Sequence, residues 1–247
     1  MRRLPAALLA LTVTAQAETL SFVTCPVVRD TATAPCWLAE YQGELYFLGV
    51  QSGVAQDFYP PQLNHEVLVE GTVAEGPRVC GGIPMQTVKI SVMIEINRSC
   101  NTILPAEDGI EAPPRGIGPG RGTGSPPVSS WTRSDGPDDV TIFFDFDSDF
   151  LSLHSTGAVQ RIVEHFRQTS ARDLQVTVHR GASKLSNGAI LVEAPAITRE
   201  RAVKIQAILV GLGVPVDALK MQLMNEPAAP DGINDPWSRK VTLAVKR

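Results

Sequence analysis

The chain has 247 residues, 43% of them hydrophobic and 19% charged, with a formal net charge of −4. This balance suits a folded globular protein and excludes the basic face with which nucleic-acid binders displace phosphate counterions. The acidity is uneven: residues 18–104 carry nine acids and four bases, whereas residues 138–247 carry thirteen of each.

Met1-Arg2-Arg3, the apolar run at 4–11 and Ala15-Gln16-Ala17 read as the charged, apolar and cleavage regions of a secretory signal peptide over residues 1–17. The apolar run is too short to cross a bilayer, and no later segment supplies the roughly 20 apolar residues a membrane helix needs. Glu18, not a cysteine, follows Ala17, so the exported chain is expected to carry no lipid. Residues 18–104 contain all four cysteines, Cys25, Cys36, Cys80 and Cys100. An even number in an exported chain points to disulfides. Three pairings are possible; the sequence-local one, Cys25 with Cys36 and Cys80 with Cys100, is favoured because each bridge then nests inside one hairpin or loop. Zinc would need close pairs of the CxxC kind, which the spacing lacks.

Residues 44–50, 66–73 and 88–96 are rich in β-branched and aromatic side chains and partly alternate, so each is predicted to be a strand. Glycine and proline punctuate them, as at Gly81-Gly82-Ile83-Pro84, and no amphipathic helix intervenes. Residues 18–104 are therefore expected to form a small all-β barrel or sandwich with disulfides, OB-like and five-stranded. Of the thirty-three residues 105–137, fourteen are Gly or Pro. This stretch is expected to be a disordered linker joining two domains.

Residues 138–247 alternate strand and helix. Strands are predicted at 140–146, 174–179, 220–223 and 240–245. A helix over 155–168 carries Val159, Ile162, Val163 and Phe166 at helical spacing, and a second, capped by Thr198, carries Ala202, Ile205, Ile208 and Leu209 before Gly211 and Gly213. The pattern implies an α/β sandwich of order βαβαββ, with helices on one face of a mixed sheet.

Phe144-Asp145-Phe146-Asp147-Ser148, the strand ending at His179, Ile197-Thr198-Arg199-Glu200-Arg201-Ala202, the turn Leu212-Gly213-Val214-Pro215 and the closing Ser238-Arg239-Lys240-Val241 together resemble the OmpA-like domain family over residues 138–247. The resemblance implies a periplasmic domain of a Gram-negative envelope that holds peptidoglycan through the diaminopimelate of the stem peptide. It assigns Arg201 and Arg239 as peptidoglycan-binding residues, and a guanidinium suits a carboxylate through a bidentate pair. Three positions depart from the family pattern: Gly181 stands where the family has aspartate, and Ala194 and Ser238 stand where it has asparagine. Losing such charged hydrogen bonds costs about 1.5 to 3 kcal/mol each, which weakens wall binding.

Two functions follow. In the first, a non-enzymatic periplasmic or outer-membrane-associated protein binds peptidoglycan through its OmpA-like domain and presents its β domain to another envelope protein. In the second, a degenerate OmpA-like module serves as a subunit or accessory of an envelope complex, such as a secretion or adhesion apparatus, with little or no wall binding. Catalysis is not expected: no nearby serine or cysteine nucleophile with an aspartate completes a relay with His154 or His165, and His65 and Glu66, adjacent on a strand, point to opposite faces. No cofactor or metal is expected, since Asp145, Asp147 and Asp149 lack the glycine-centred loop of a calcium motif. Tyr41, Tyr46, Phe47 and Phe58 read as core or turn aromatics, and Trp131, isolated in the linker, as an interaction residue.

Overall fold

A computed structural model describes residues 18–50, 61–113 and 132–246. The expected signal peptide, Phe58, Trp131 and residues 114–131 of the expected linker lie outside the described residues.

The first half is β structure throughout. Strands β1 (Thr19–Thr24) and β2 (Pro26–Arg29) are separated by Cys25 alone. Strands β3 (Cys36–Tyr41) and β4 (Glu44–Val50) form a hairpin whose two loop residues, Gln42 and Gly43, both have positive φ. That backbone twist matches the twist of the strands it joins. Strands β5 (His65–Val73), β6 (Ile83–Ile96) and β7 (Ile103–Leu104) complete a sheet of order β1-β5-β6-β4-β3-β2-β7. Because β1 and β2 are one segment bent at Cys25, the order returns to its start and the sheet wraps round a core of Phe22, Leu48, Val67, Val69, Met85 and Ile90. The three strands expected from the sequence are present, and β1, β2, β3 and β7 are additional.

Wrapping overturns the sequence-local disulfide pairing. The bridges are Cys25–Cys100 and Cys36–Cys80, closing separations of 75 and 44 residues. Cys25 sits at the bend where β1 gives way to β2, next to the loop that follows β6. Cys36 opens β3, against the turn between β5 and β6. That turn lies close to β4: a Cβ on Gly82 would come within 2.8 Å of the Phe47 backbone nitrogen. Peptide mapping under non-reducing conditions will recover these two pairs. Replacing Cys36 and Cys80 together by alanine will lower the unfolding free energy by about 4 kcal/mol, the chain-entropy value for a loop of this length.

In the second half, strands β8 (Thr132–Gly136), β9 (Asp139–Phe143), β10 (Asp173–His179), β13 (Leu219–Met224) and β14 (Lys240–Lys246) form a sheet of order β13-β10-β14-β9-β8. β10 and β13 are parallel and the other pairs antiparallel. Helix α1 (Leu153–Gln168) begins where the Ser152 side chain accepts from the Ser155 amide. It buries Val159, Ile162, Val163 and Phe166, the residues picked out by helical spacing. Helix α2 (Ile197–Gly211) buries Ala202, Ile205 and Leu209. Both helices pack on one face of the sheet in a single core with Ile142, Leu174, Val176 and Leu243; from β9 onward the main-sheet elements follow the expected order βαβαββ, and β8 is an additional strand before them. Thr198 does not cap α2: Ala196 holds the cap position, and the Thr198 hydroxyl donates to Asn225 Oδ1 at 2.7 Å. A small hairpin, β11 (Ala182–Lys184) with β12 (Ile190–Val192), enters between β10 and α2.

The linker expectation is corrected at both ends. Ile110 and Ala112 pack against the cluster around Leu38 and Phe47, Glu107 pairs with Arg29 at 2.7 Å, and residues 132–136 form β8 on the edge of the second sheet. Nor are the halves joined by a tether alone. Leu68 from β5 is buried with Phe146 and Leu185, and Val23, Met93 and Leu191 pack around them. Across the same boundary, the Ser21 amide donates to Ser186 Oγ and the Ser186 amide donates back to the Ser21 carbonyl.

Candidate functional site

On strands the side chains alternate between faces. In β5, Val67 and Val69 enter the barrel core, so Leu68 and Glu70 point outward; in β6, Ile90 points inward and Lys89 and Ser91 outward. Those outward residues are nevertheless 0%, 4%, 4% and 0% exposed, because the α/β half covers them. A buried charge network lies between the two sheets around Arg239, and Arg201, the other arginine singled out from the sequence, is buried within the α/β half with all its partners from that half.

Arg239, fully buried, stands just before β14. Its Nη1 donates to Glu70 Oε1 at 3.1 Å and to Ser183 Oγ at 2.7 Å, and its Nη2 donates to Glu70 Oε2 at 2.5 Å. Ser183 in turn donates to Glu70 Oε1 at 2.8 Å. Burial alone would pull the guanidinium down, but the Glu70 carboxylate against it overrides this and holds it above its ordinary value. Beside this pair, Lys89 Nζ meets Asp145 Oδ1 at 3.2 Å. Burial lowers the Lys89 ammonium, with Asp145 opposing, and burial raises the Asp145 carboxyl, with Lys89 opposing. The Phe146 amide completes the joint by donating to Ser91 Oγ at 2.8 Å.

Arg201 lies in the first turns of α2 and is likewise fully buried. A guanidinium has five N–H donors, and all are engaged by this chain. Nε donates to the Ser148 carbonyl, Nη1 to the His179 carbonyl and Glu193 Oε2, and Nη2 to the Asp145 carbonyl and Glu193 Oε1. The Phe144 ring faces the guanidinium at 4.7 Å. Each of the two arginines therefore meets a carboxylate of the chain itself.

Of the departed positions, Gly181 acquires a steric reason. A Cβ on Gly181 would lie 2.3 Å from Arg239 Cγ and 2.9 Å from Ser238 Oγ, so the Arg239 side chain occupies the space an aspartate would take. The Gly181 amide donates to Glu193 Oε2 at 2.6 Å. The Ala194 amide donates to Asp147 Oδ1, and the Ser238 hydroxyl donates to the Asp235 carbonyl.

The acid run disperses to separate partners. Asp145 meets Lys89, Asp149 meets Lys204 at 2.8 Å, and Asp147, at φ +50°, accepts from Ala194 with its carboxyl raised first by burial. His65 Nδ1 lies 2.8 Å from the Met93 carbonyl, whereas Glu66 accepts from Asn97, so the two diverge. His165 Nε2 lies 2.7 Å from Asp138 Oδ1. Half-buried His179 has its imidazole lowered first by burial and then by Lys240. Phe22 stacks on Tyr41 at 4.4 Å and tilts against Tyr46, and Phe47 is core.

Sequence reasoning missed Glu70 and Glu193. Glu193 had a signal: it is the single acid in the apolar run 189–197. Glu70 had less, since an acid on the outward face of a strand looks solvent-facing.

No family model matches this chain, and no curated protein does. Solved structures with similarity include the OmpA-like domain of FopA1 from Francisella tularensis, at 16% identity over 46% of this chain and 77% of that one, with a TM-score of 0.34. The periplasmic domain of Helicobacter pylori MotB matches at 15% identity over 47% and 80%, TM-score 0.34. The cell wall anchor of the T6SS from Pseudomonas aeruginosa matches at 17% over 47% and 87%, TM-score 0.31. Overlaps of this size carry no functional weight for this chain.

An open concavity does exist elsewhere. A groove of about 830 Å³ runs along the outer side of α2 between Phe150, Leu151, Val203 and Ala207, and neither arginine lines it.

Proposed function

We propose that this chain is a non-enzymatic protein of the bacterial envelope in which an OmpA-like half and an OB-like β half are docked into one interaction module. On this reading it is a subunit or accessory of an envelope complex and has little or no peptidoglycan binding of its own. The observation that carries it is the closure of both candidate wall-binding arginines: Arg201 and Arg239 are 0% exposed and are held by Glu193 and Glu70. Glu70 comes from the β half, so the face that would meet a stem peptide is engaged in holding the two halves together. Export to the periplasm is supported by the leader-like first 17 residues and by two disulfides, which persist in oxidising compartments.

Peptidoglycan association through Arg201 and Arg239 is the second reading. It is favoured by the match of those two positions to the family motifs and by the carboxylate that Arg201 already holds in bidentate geometry.

Sedimentation with purified sacculi separates the two. The full-length chain is expected to remain in the supernatant and to co-purify with other proteins from solubilised envelopes. Sedimentation with sacculi, or migration free of any partner, overturns the proposal.

A further inference from the structure

Four N–H donors converge on the Glu193 carboxylate. Oε1 accepts from Arg201 Nη2 at 2.6 Å and the Asp147 amide at 3.0 Å; Oε2 accepts from Arg201 Nη1 at 3.0 Å and the Gly181 amide at 2.6 Å. A guanidinium fork flanked by two backbone amides matches the plane and the lone pairs of a carboxylate. The donors come from three places: the turn after β9, helix α2, and Gly181 just before β11, where the hairpin pairs it with Glu193 and its carbonyl accepts from the Glu193 amide at 3.1 Å.

The guanidinium of the cradle does not depend on the Glu193 side chain. Arg201 is held independently by the carbonyls of Ser148, His179 and Asp145 and by the Phe144 ring. The Asp147 amide is aimed by a positive-φ turn. Glu193, by contrast, enters from the surface: its own side chain is fully buried, yet Val192 before it is 45% exposed and Ala194 after it is exposed.

We propose that Glu193 is a tethered ligand, filling a preformed carboxylate seat that would otherwise take the carboxylate of a free small molecule. The inference rests on the closed site described under the proposed function and names what closes it. In the wild-type chain the seat is satisfied internally, so free carboxylates are excluded by a competitor that is always present at high effective concentration.

Glu193→Ala tests this directly, because it removes a fragment the size of acetate. The melting temperature of the full-length variant is to be compared in acetate and in chloride at equal ionic strength, with the wild-type chain measured alongside. The expected result is a saturable rise in acetate for Glu193→Ala and no difference between the two salts for the wild type. If the variant does not fold in chloride, recovery of the folded state in acetate is the expected result. A variant that behaves alike in both salts, folded or unfolded, overturns the proposal, as does an equal response from the wild-type chain. Sacculus sedimentation of the wild type reports on the interaction-module reading and the acetate response of the variant reports on the seat, so either can fail alone.

Discussion

Replacing Glu70 by alanine will lower the unfolding free energy by about 3 to 5 kcal/mol, the range for leaving one partner of a buried ion pair uncompensated. The Arg239 guanidinium is 0% exposed and the Glu70 side chain 5%, so the orphaned charge would be left out of contact with water. Ser183 would lose an acceptor in the same step. The double variant Glu70→Leu with Arg239→Met will recover much of the loss, because replacing a buried pair by apolar groups of similar volume is often neutral or stabilising. Urea denaturation of the wild type, Glu70→Leu, Arg239→Met and the double variant closes the cycle, and a coupling energy near zero would mean that the halves do not meet through this pair. Glu70→Ala should also increase protease cleavage between the halves, a readout that damage confined to the barrel would not produce.

Gly181→Asp restores the residue that the family resemblance calls for, and it is expected to destabilise the chain by about 3 kcal/mol without creating wall binding. Its Cβ would stand 2.3 Å from Arg239 Cγ, an atom near the backbone that cannot swing away as a chain tip could. Overpacking a tight site typically costs about 1 to 3 kcal/mol, and moving Arg239 off Glu70 adds to it. Gly181→Ala will show most of the steric effect, so the difference between the two variants isolates the added charge. Thermal denaturation with sacculus sedimentation provides both readouts. A Gly181→Asp variant as stable as the wild type would contradict the position of Arg239 over Gly181.

The regular elements were legible where apolar period and length agree. Helix α1 appeared in the spacing of Val159, Ile162, Val163 and Phe166, and β4, β5 and β6 in their β-branched runs. β1, β2 and β3 were missed because they are short, and Pro26 in β2, Cys36 in β3 and Cys25 between β1 and β2 blur a strand pattern. β11 and β12 are three residues each, too short for periodicity to register. Thr198 looked like a cap because its residue type favours that role, but its hydroxyl found Asn225 across a tertiary contact instead.

The sequence by itself determined the two secondary-structure regimes, the disulfide chemistry of four cysteines, and the positions of Arg201 and Arg239, since each of these is carried by local pattern or residue type. Only the tertiary structure decided which cysteines pair, that much of the Gly/Pro-rich stretch around residues 105–113 and 132–136 is tied into the fold, and that both arginines are closed by the chain's own carboxylates. The reason is the period of a strand: alternation tells that Glu70, Lys89 and Ser91 leave the barrel core, but what covers an outward face depends on a second sheet whose contacts lie 55 to 169 residues away.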